Sequence, residues 1–377
     1  MTGAVRAGSR TERFRQAVAE ALDERAHLQA LLALARHFAE ASDGVNGLDA
    51  ARAARTLAMR LDDWDAVARA LGSASISQYH RSDYVGALAT AIDSWDAARR
   101  AGAPHAVAES LYAIALALHA LGEVGDAMRL VDKGIGLTAT DPPLQEPHVR
   151  LVGLKALLFH RQERFEEMDA HCARAVELAQ RSTAHLLELG HGNWGLALLR
   201  TAEQRHKRGE PMTDLLLRSR EHFEEALRIA TAEDDLMRIA DRTSGLGQVA
   251  FLLGDLDLAA RLLSDALARS LDLDYVRTTV MSSRYLARIL LARGEFARAV
   301  EVLRVADAKA RRGAPVDGRP AVKLMLAGAL EMAGFQVEAD RVREAARELR
   351  STSDAHRRLA TVEARKLAAR VLAELDA

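Results

Sequence analysis

The chain has 377 residues, and its 52 lysines and arginines nearly balance 53 aspartates and glutamates, giving a formal net charge of −1. This balance provides no overall field that would attract nucleic acid or an anionic membrane. The single cysteine, Cys172, excludes an internal disulfide framework. No apolar run has the length of a signal peptide or a membrane span, so we expect a soluble cytoplasmic protein without membrane contact.

The composition predicts an all-α protein. Alanine, leucine and arginine dominate, only 4% of the residues are aromatic, and there are seven prolines. These residues favour helix and leave little material for strands. We therefore expect helices throughout.

The first sixty residues predict a tail and one irregular hairpin. Residues 1–10 are expected to be a disordered tail, and the irregular hairpin should span 11–60. Apolar residues with helical spacing predict one amphipathic helix over 14–40 and a second over 48–60, around the turn SDGVNG. Terminal units of a helical array are usually atypical because they cap it.

From there to about residue 350 the chain repeats with a period near 40. Gly254, Gly294 and Gly334 are 40 residues apart, and each is followed five positions later by alanine. Gly122, Glu163 and Ser82 hold the same turn position in earlier units. Small side chains recur seven residues before each turn and twelve after it, where two antiparallel helices would approach closely. The repeat predicts a right-handed superhelix of about eight helical hairpins over 11–350.

The fifth unit carries about ten additional residues. The segment QRHKRGEPMT, in the region 204–214, separates the two helices of this unit, and we expect extra helix followed by a loop broken at Pro211. Its basic run from Arg205 to Arg208 has two interpretations, a solvated loop or an anion contact. The solvated loop is the preferred one.

The final segment, 351–377, is predicted to be a capping or dimerisation helix. Ala360, Ala364, Leu367, Val371 and Leu375 form one apolar stripe at spacings of three and four. Capping is the preferred interpretation. Pairing of two chains into a homodimer is the alternative.

These repeats resemble the tetratricopeptide repeat. The resemblance lies in ALHALGEVGDAMRLVDKGI (117–135), VAFLLGDLDLAARLLSDAL (249–267) and ILLARGEFARAVEVLRVAD (289–307), and it covers roughly residues 45–350. The period is longer than the usual ~34 residues, and the terminal proline of the family pattern is mostly absent. Long repeats of this kind are similar to those of bacterial sensory and regulatory solenoids, some of which precede diguanylate cyclases or transcription activators.

The resemblance implies that the first helix of each unit lines the concave face. Projected onto this chain, the inward positions are rich in polar and aromatic side chains. The resulting candidate ligand-binding residues are Tyr79, Glu109, Tyr112, His119, Arg150, His160, His191, Trp194, Asp241, Gln248, Arg284 and Arg288.

Structural roles compete with this interpretation. Tyr112 and Trp194 at helical spacing are more often packing residues, and Arg150 or Arg284 can pair with acidic residues of neighbouring units. The histidines lack the close spacing of a metal site, so we predict no metal and no cofactor. The glycine-rich segment GHGNWG (190–195) should lie inside a helix, where it relieves crowding beside Trp194 or opens the inner surface to a ligand.

The sequence favours a non-enzymatic binding module. It contains no Walker loop, GxSxG or CxxC motif, and no short basic helix after a tight glycine turn that would indicate direct nucleic-acid binding. We expect a protein of signal transduction that binds a peptide, a protein segment or a small signal on its concave face. The alternative is a structural homo-oligomeric scaffold assembled through the C-terminal helix.

Overall fold

The computed structural model describes residues 10–41, 43–81, 83–139, 145–313 and 318–376, with the backbone alone described for 312, 313, 318 and 353–360. Every regular element in these ranges is a helix. The first half contains α1 (Arg10–Ala19), α2 (Glu24–Glu40), α3 (Gly44–Arg60), α4 (Trp64–His80), α5 (Tyr84–Ala101), α6 (Pro104–Leu121), α7 (Val124–Thr138), α8 (Gln145–Arg161) and α9 (Phe165–Ala179). The second half contains α10 (Ala184–Arg208), α11 (Thr213–Ala232), α12 (Leu236–Leu253), α13 (Leu256–Asp272), α14 (Val276–Ala292), α15 (Phe296–Gly313), α16 (Gly318–Met332) and α17 (Gln336–Asp376).

After α1, the helices form eight consecutive hairpins, from α2/α3 to α16/α17. Each helix packs on the next, and the even-numbered helices also pack against one another, from α2 and α4 to α14 and α16. The even-numbered helices therefore line the inside of the superhelix, and we call them the inner helices. The all-α solenoid of about eight hairpins is confirmed.

The repeated glycines end the inner helices in a left-handed conformation. Gly122, Gly254, Gly294 and Gly334 have φ between 75° and 90°, a region that glycine enters without a Cβ clash. After Gly122, the Glu123 N–H donates to the Leu118 carbonyl at 2.9 Å, which satisfies a carbonyl at the end of the helix. The predicted turn residue Ser82 lies outside the described residues.

The small residues allow neighbouring helices to touch, both within a hairpin and between consecutive hairpins. A Cβ added to Gly247 would lie 2.7 Å from Leu263 Cγ, and one added to Gly134 would lie 2.8 Å from Leu151 Cδ1. Ala115 and Ala287 are fully buried at the corresponding position of their units. Close approach excludes water and gives each pair of helices a continuous apolar contact.

The start of the chain differs from the sequence-based prediction. Residues 14–40 were predicted as one helix, but α1 ends at Ala19 and α2 begins at Glu24. The Asp23 side chain accepts a hydrogen bond from the Ala26 N–H at 2.7 Å, so it caps a new helix at this point. The second helix of the hairpin begins at Gly44, earlier than the predicted residue 48. Residues 1–9 of the expected tail lie outside the described ranges, and Arg10 is already helical.

The inserted residues of the fifth unit lengthen α10, which continues to Arg208, while Pro211 lies in the connection to α11. Gly209 ends α10 with φ 71°.

The C-terminal segment continues the last hairpin instead of forming a separate helix. Helix α17 has 41 residues and is therefore about 60 Å long. Its final part packs on α5, α6 and α7, where Ala364, Ala368 and Val371 are fully buried. Arg370 pairs with Asp96 at 2.5 Å beside this contact. The apolar stripe predicted for capping or dimerisation is thus covered by the chain's own earlier hairpins, and it is not available to a second copy in this conformation.

None of the described helices combines the length and the apolar character needed to cross a membrane.

Candidate functional site

A cavity of about 400 Å³ lies inside the superhelix. Seven inner helices, α2, α4, α6, α8, α10, α12 and α14, contribute to its wall. Its charged and aromatic lining consists of Arg36, Glu40, Arg69, Tyr79, His80, Tyr84, His105, Glu109, Tyr112, Arg150, Arg238, Asp241, Arg242, Tyr275 and Arg277. We call it the central cavity.

The central cavity forms because the superhelix curves strongly enough for its first hairpin to contact later hairpins. The C-terminal end of α2 lies across the interior. Ala41, which follows α2, packs against Met237 in the first turn of α12 and against Tyr275, which precedes α14. Arg36 of α2 also pairs with Glu146 of α8. The first hairpin therefore contacts the fourth, sixth and seventh hairpins, and the inner surface forms a chamber that is partly open to solvent.

Glu40 is the centre of one charged network in the chamber. Its carboxylate lies 2.5 Å from Arg150 Nη2 and 2.9 Å from His185 Nε2. Burial opposes ionisation of Glu40, but His185 and Arg150 outweigh it and hold the pKa of Glu40 well below its usual range. Arg150 also has Glu109 Oε1 3.7 Å from its Nε. This network joins α2, α6, α8 and α10.

Glu188 of α10 is the centre of a second network. Arg242 Nε donates to Glu188 Oε1 at 2.6 Å, and Arg238 pairs with the other carboxylate oxygen. Burial raises the pKa of Glu188, but the two arginines outweigh it and the net shift is downward. Asp241 accepts hydrogen bonds from Arg242 Nη1 at 2.9 Å and from the Thr278 hydroxyl at 3.0 Å.

The glycine-rich segment of α10 makes room for the Glu188 network. A Cβ on Gly192 would lie 2.3 Å from the Arg242 guanidinium carbon, and a Cβ on Gly195 would lie 3.1 Å from the Phe223 ring. Gly192 therefore lets a buried arginine pass over the helix toward Glu188. The sequence suggested that these glycines relieve crowding beside Trp194 or open the inner surface to a ligand; in the structure, Gly192 faces Arg242 and Gly195 faces Phe223.

Tyrosines form the less charged part of the chamber. Burial raises the pKa of Tyr112 and of Tyr79, so both hydroxyls stay protonated at neutral pH. The Tyr79 ring lies 5.5 Å from the Tyr84 ring and 5.4 Å from the His80 ring. Burial also lowers the pKa of His80 to about 3, which leaves this imidazole neutral.

The structure brings five of the twelve candidate residues together in the central cavity. These are Tyr79, Glu109, Tyr112, Arg150 and Asp241. Arg284 and Arg288 line a different cavity, described below. The remaining five line neither cavity.

Trp194 and His191 were predicted to face the interior, and the structure contradicts this. The Trp194 indole N–H donates to Asp169 of α9 at 2.7 Å, and its ring stacks on His222 of α11 with centroids 3.9 Å apart. His191 Nδ1 lies 3.1 Å from His222 Nδ1. Trp194 thus lies between α9 and α11, and His191 lies against α11.

His119, His160 and Gln248 line neither cavity. Burial is the largest cause that lowers the pKa of His119, to about 4, and that of His160. The Gln248 side chain donates to the Ser244 carbonyl at 3.3 Å and is buried. Within the described residues, no group of three or more histidine, cysteine, aspartate or glutamate side chains is arranged to hold a metal ion.

Sequence reasoning missed the residues that close the central cavity. Arg36 and Glu40 lie in the irregular first hairpin, which was not projected onto the concave face, and Arg238, Arg242 and Arg277 lie outside the chosen inward positions. One signal was present in the sequence. Arg238 and Arg242 are four residues apart in a helix whose other buried residues are mostly small or apolar.

A second cavity of about 320 Å³ lies further along the superhelix. It is lined by residues of α10, α12, α14 and α16, and it shares no lining residue with the central cavity. Its lining consists of Arg200, Glu203, His206, Lys207, Leu252, Met281, Arg284, Tyr285, Arg288 and Met325. We call it the distal cavity.

No protein-family model and no curated protein sequence matches this chain. Solved structures do match its fold, which is that of tetratricopeptide-like repeat solenoids. The Rap conjugation gene regulator of the plasmid pLS20, solved with the Phr* peptide, aligns with a TM-score of 0.54 at 11% identity, over 86% of this chain and 95% of that one.

Two further structures share the architecture. The quorum sensor NprR from B. thuringiensis, in its apo form, aligns with a TM-score of 0.51 at 13% identity, over 90% of this chain and 91% of that one. A signal-transduction ATPase with a tetratricopeptide repeat sensor, PH0952 from Pyrococcus horikoshii, aligns with a TM-score of 0.53 at 14% identity, over 93% of this chain and 52% of that one.

Proposed function

We propose that this chain is a non-enzymatic signalling module that binds a short peptide in the central cavity. The observation that carries the proposal is the cavity itself, to which seven inner helices and α5 contribute and which arginines and tyrosines line. Its volume lies within the range of ligand sites in proteins. We also propose that this chain acts as the sensory part of a larger regulator, such as a diguanylate cyclase.

The charge of the lining favours an acidic peptide or a free carboxyl terminus. Six arginines face the cavity with three carboxylates, those of Glu40, Glu109 and Asp241, while Glu188 and Glu146 pair with some of these arginines from outside its lining. Arginine binds carboxylates through two parallel N–H donors, and tyrosine offers a large contact area at a small loss of entropy. A peptide carboxylate near Arg69 and Arg277, with an apolar side chain against Tyr112, would use both features.

Solved relatives of the fold support a peptide over other ligands. The pLS20 Rap regulator was solved with a Phr* peptide, and NprR is described as a quorum sensor. Their identity to this chain is only 11% and 13%, so the argument from this chain's own cavity remains the principal one.

The structure also offers a means of transmitting binding. Glu40 holds Arg150 and His185 across the interior, so this one carboxylate connects the first hairpin to the fourth and fifth. A ligand carboxylate that takes over Arg150 would weaken this connection and change the curvature of the superhelix. Neighbouring hairpins of a solenoid are coupled by nearest contacts, which lets a local change spread along the array.

A screen of defined peptides of five to seven residues tests the proposal, with retention measured by equilibrium dialysis and mass spectrometry. We expect peptides with a free carboxyl terminus or acidic side chains to be retained. The double variant Arg69→Met and Arg277→Met should lose at least tenfold in affinity.

The control is Arg304→Met, which removes one positive charge from an exposed ion pair between α15 and α17. It should bind as the unaltered chain does. If no peptide is retained, or if the double variant binds like this control, the central cavity is not a peptide site.

A further inference from the structure

The distal cavity contains more positive charge than its own carboxylate can balance. Arg200, Lys207, Arg284 and Arg288 line it together with one acidic residue, Glu203. Glu203 is already engaged, because it pairs with Arg200 Nη1 at 2.7 Å and accepts a hydrogen bond from the Tyr285 hydroxyl. The lining therefore keeps an excess of three positive charges, with His206 counted as neutral.

Arg284 is the least compensated of these cations. Its Nε is buried without a hydrogen-bond partner, and the contact that its Nη1 makes is with the Met281 sulfur at 3.8 Å. Within the part of the chain that the structure describes, it forms no ion pair with a carboxylate. Burial lowers the pKa of Arg284, since Tyr285 and Glu203 offset the loss of solvation only in part. A guanidinium in this state is stabilised by an arriving anion.

The rest of the wall is apolar or aromatic. Arg288 lies over the Phe251 ring at 4.5 Å and near the Tyr285 ring at 5.4 Å, which holds its guanidinium in place without a carboxylate. Leu252, Met281 and Met325 complete the wall. Methionine side chains adapt their shape to a planar ring. The cavity therefore places a cationic subsite, which can receive an anion, beside an apolar subsite.

We propose that the distal cavity binds an organic phosphate, a small molecule with a doubly charged phosphate group next to an apolar ring. Arg284, Arg288 and Arg200 bind the phosphate oxygens, and the ring packs on Met281, Met325 and Tyr285. Exposed His206 and Lys207 lie at the opening to solvent. The site extends the function beyond the peptide proposed for the central cavity, and the extra turns of α10 supply two of its residues.

Isothermal titration of the full chain with phenyl phosphate tests this proposal, with inorganic phosphate and benzoate as comparison ligands. Phenyl phosphate should bind with one-to-one stoichiometry and at least tenfold more tightly than either comparison ligand. Affinity should fall as salt increases, because the contacts are electrostatic. Equal binding of inorganic phosphate would remove the apolar subsite from the proposal, and no binding of phenyl phosphate would overturn it.

Three variants assign the binding to this cavity. Arg284→Met should weaken phenyl phosphate binding at least tenfold, and Arg288→Gln, at an exposed position, should weaken it several-fold. Glu203→Gln should strengthen binding several-fold, because it removes the only negative charge from the lining while keeping the side chain's size. A misfolded variant cannot show such a gain. Unchanged affinity in Arg284→Met, or a loss in Glu203→Gln, would contradict the proposal.

Discussion

The two cavities differ in whether their buried arginines have a carboxylate partner. In the central cavity, Arg150, Arg238 and Arg242 are buried but paired with Glu40 or Glu188. In the distal cavity, Arg284 is partly buried and has no such partner among the described residues. Paired charges join distant hairpins and hold the chamber closed, whereas an uncompensated charge weakens the fold and favours a ligand. The same residue type is thus compensated by the chain's own carboxylates in one place and left without such a partner in the other.

The largest expected effect comes from removing the carboxylate of the Glu188 network. Glu188→Ala leaves Arg238 and Arg242 buried without their main counter-charge, and it should lower the free energy of unfolding by about 3–5 kcal/mol. Urea denaturation followed by circular dichroism measures it.

The matched control is Glu338→Ala, at an exposed pair with Arg304. Solvent screens this pair, so the loss should stay below about 1 kcal/mol. Equal losses in the two variants would show that the buried network does not hold the chamber closed.

The second effect is a dependence of stability on pH that arises in the central cavity. The folded-state pKa of His80 is lowered by burial to about 3, below the ordinary 6.5. As pH falls below about 6.5, the unfolded chain binds a proton at this histidine and the folded chain does not, so stability decreases until the pH approaches 3. The slope from this one group is at most about 1.4 kcal/mol per pH unit.

His80→Gln should therefore flatten the stability profile between about pH 6 and 4. The variant His206→Gln provides the comparison, because it removes an exposed histidine instead of a buried one. Denaturant midpoints measured at half-unit pH intervals check both. A His80→Gln profile parallel to that of the unaltered chain would mean that this histidine binds protons equally in the folded and unfolded states.

The smallest effect has the opposite sign and distinguishes the cavities most directly. Arg284→Met replaces an uncompensated cation with an apolar side chain of similar length, and it should raise the free energy of unfolding by about 1 kcal/mol without ligand. Arg242→Met, in the central cavity, should lower it because Glu188 and Asp241 lose a partner. Chemical denaturation of both variants provides the measurement. Destabilisation by Arg284→Met would mean that contacts other than ion pairs compensate the charge of Arg284.

The repeat was the part of the fold that sequence predicted best. The glycines at 254, 294 and 334 act through local backbone geometry, because a left-handed residue ends a helix wherever it occurs. Small residues such as Gly247 act on the nearest helix, and that contact recurs in each unit. The break at Asp23 was missed because the apolar pattern continues across it, although the Asp23 side chain begins a new helix.

The candidate site was predictable only in part. Tyr112, Arg150 and Asp241 reach the central cavity, whereas Trp194 does not, since the direction of a side chain on α10 depends on which face the neighbouring helices occupy. Helical spacing alone assigns a residue to a face but does not say what covers that face.

The sequence by itself determined the helical hairpin, its length and its turns, because these depend on contacts between residues close along the chain. Only the tertiary structure decided that Glu40 meets Arg150 and that Val371 packs over the hairpins of α5 and α7. Both contacts depend on the curvature of the whole superhelix, which is the sum of small rotations at every hairpin. Residues that are more than a hundred positions apart meet only when that sum brings them together.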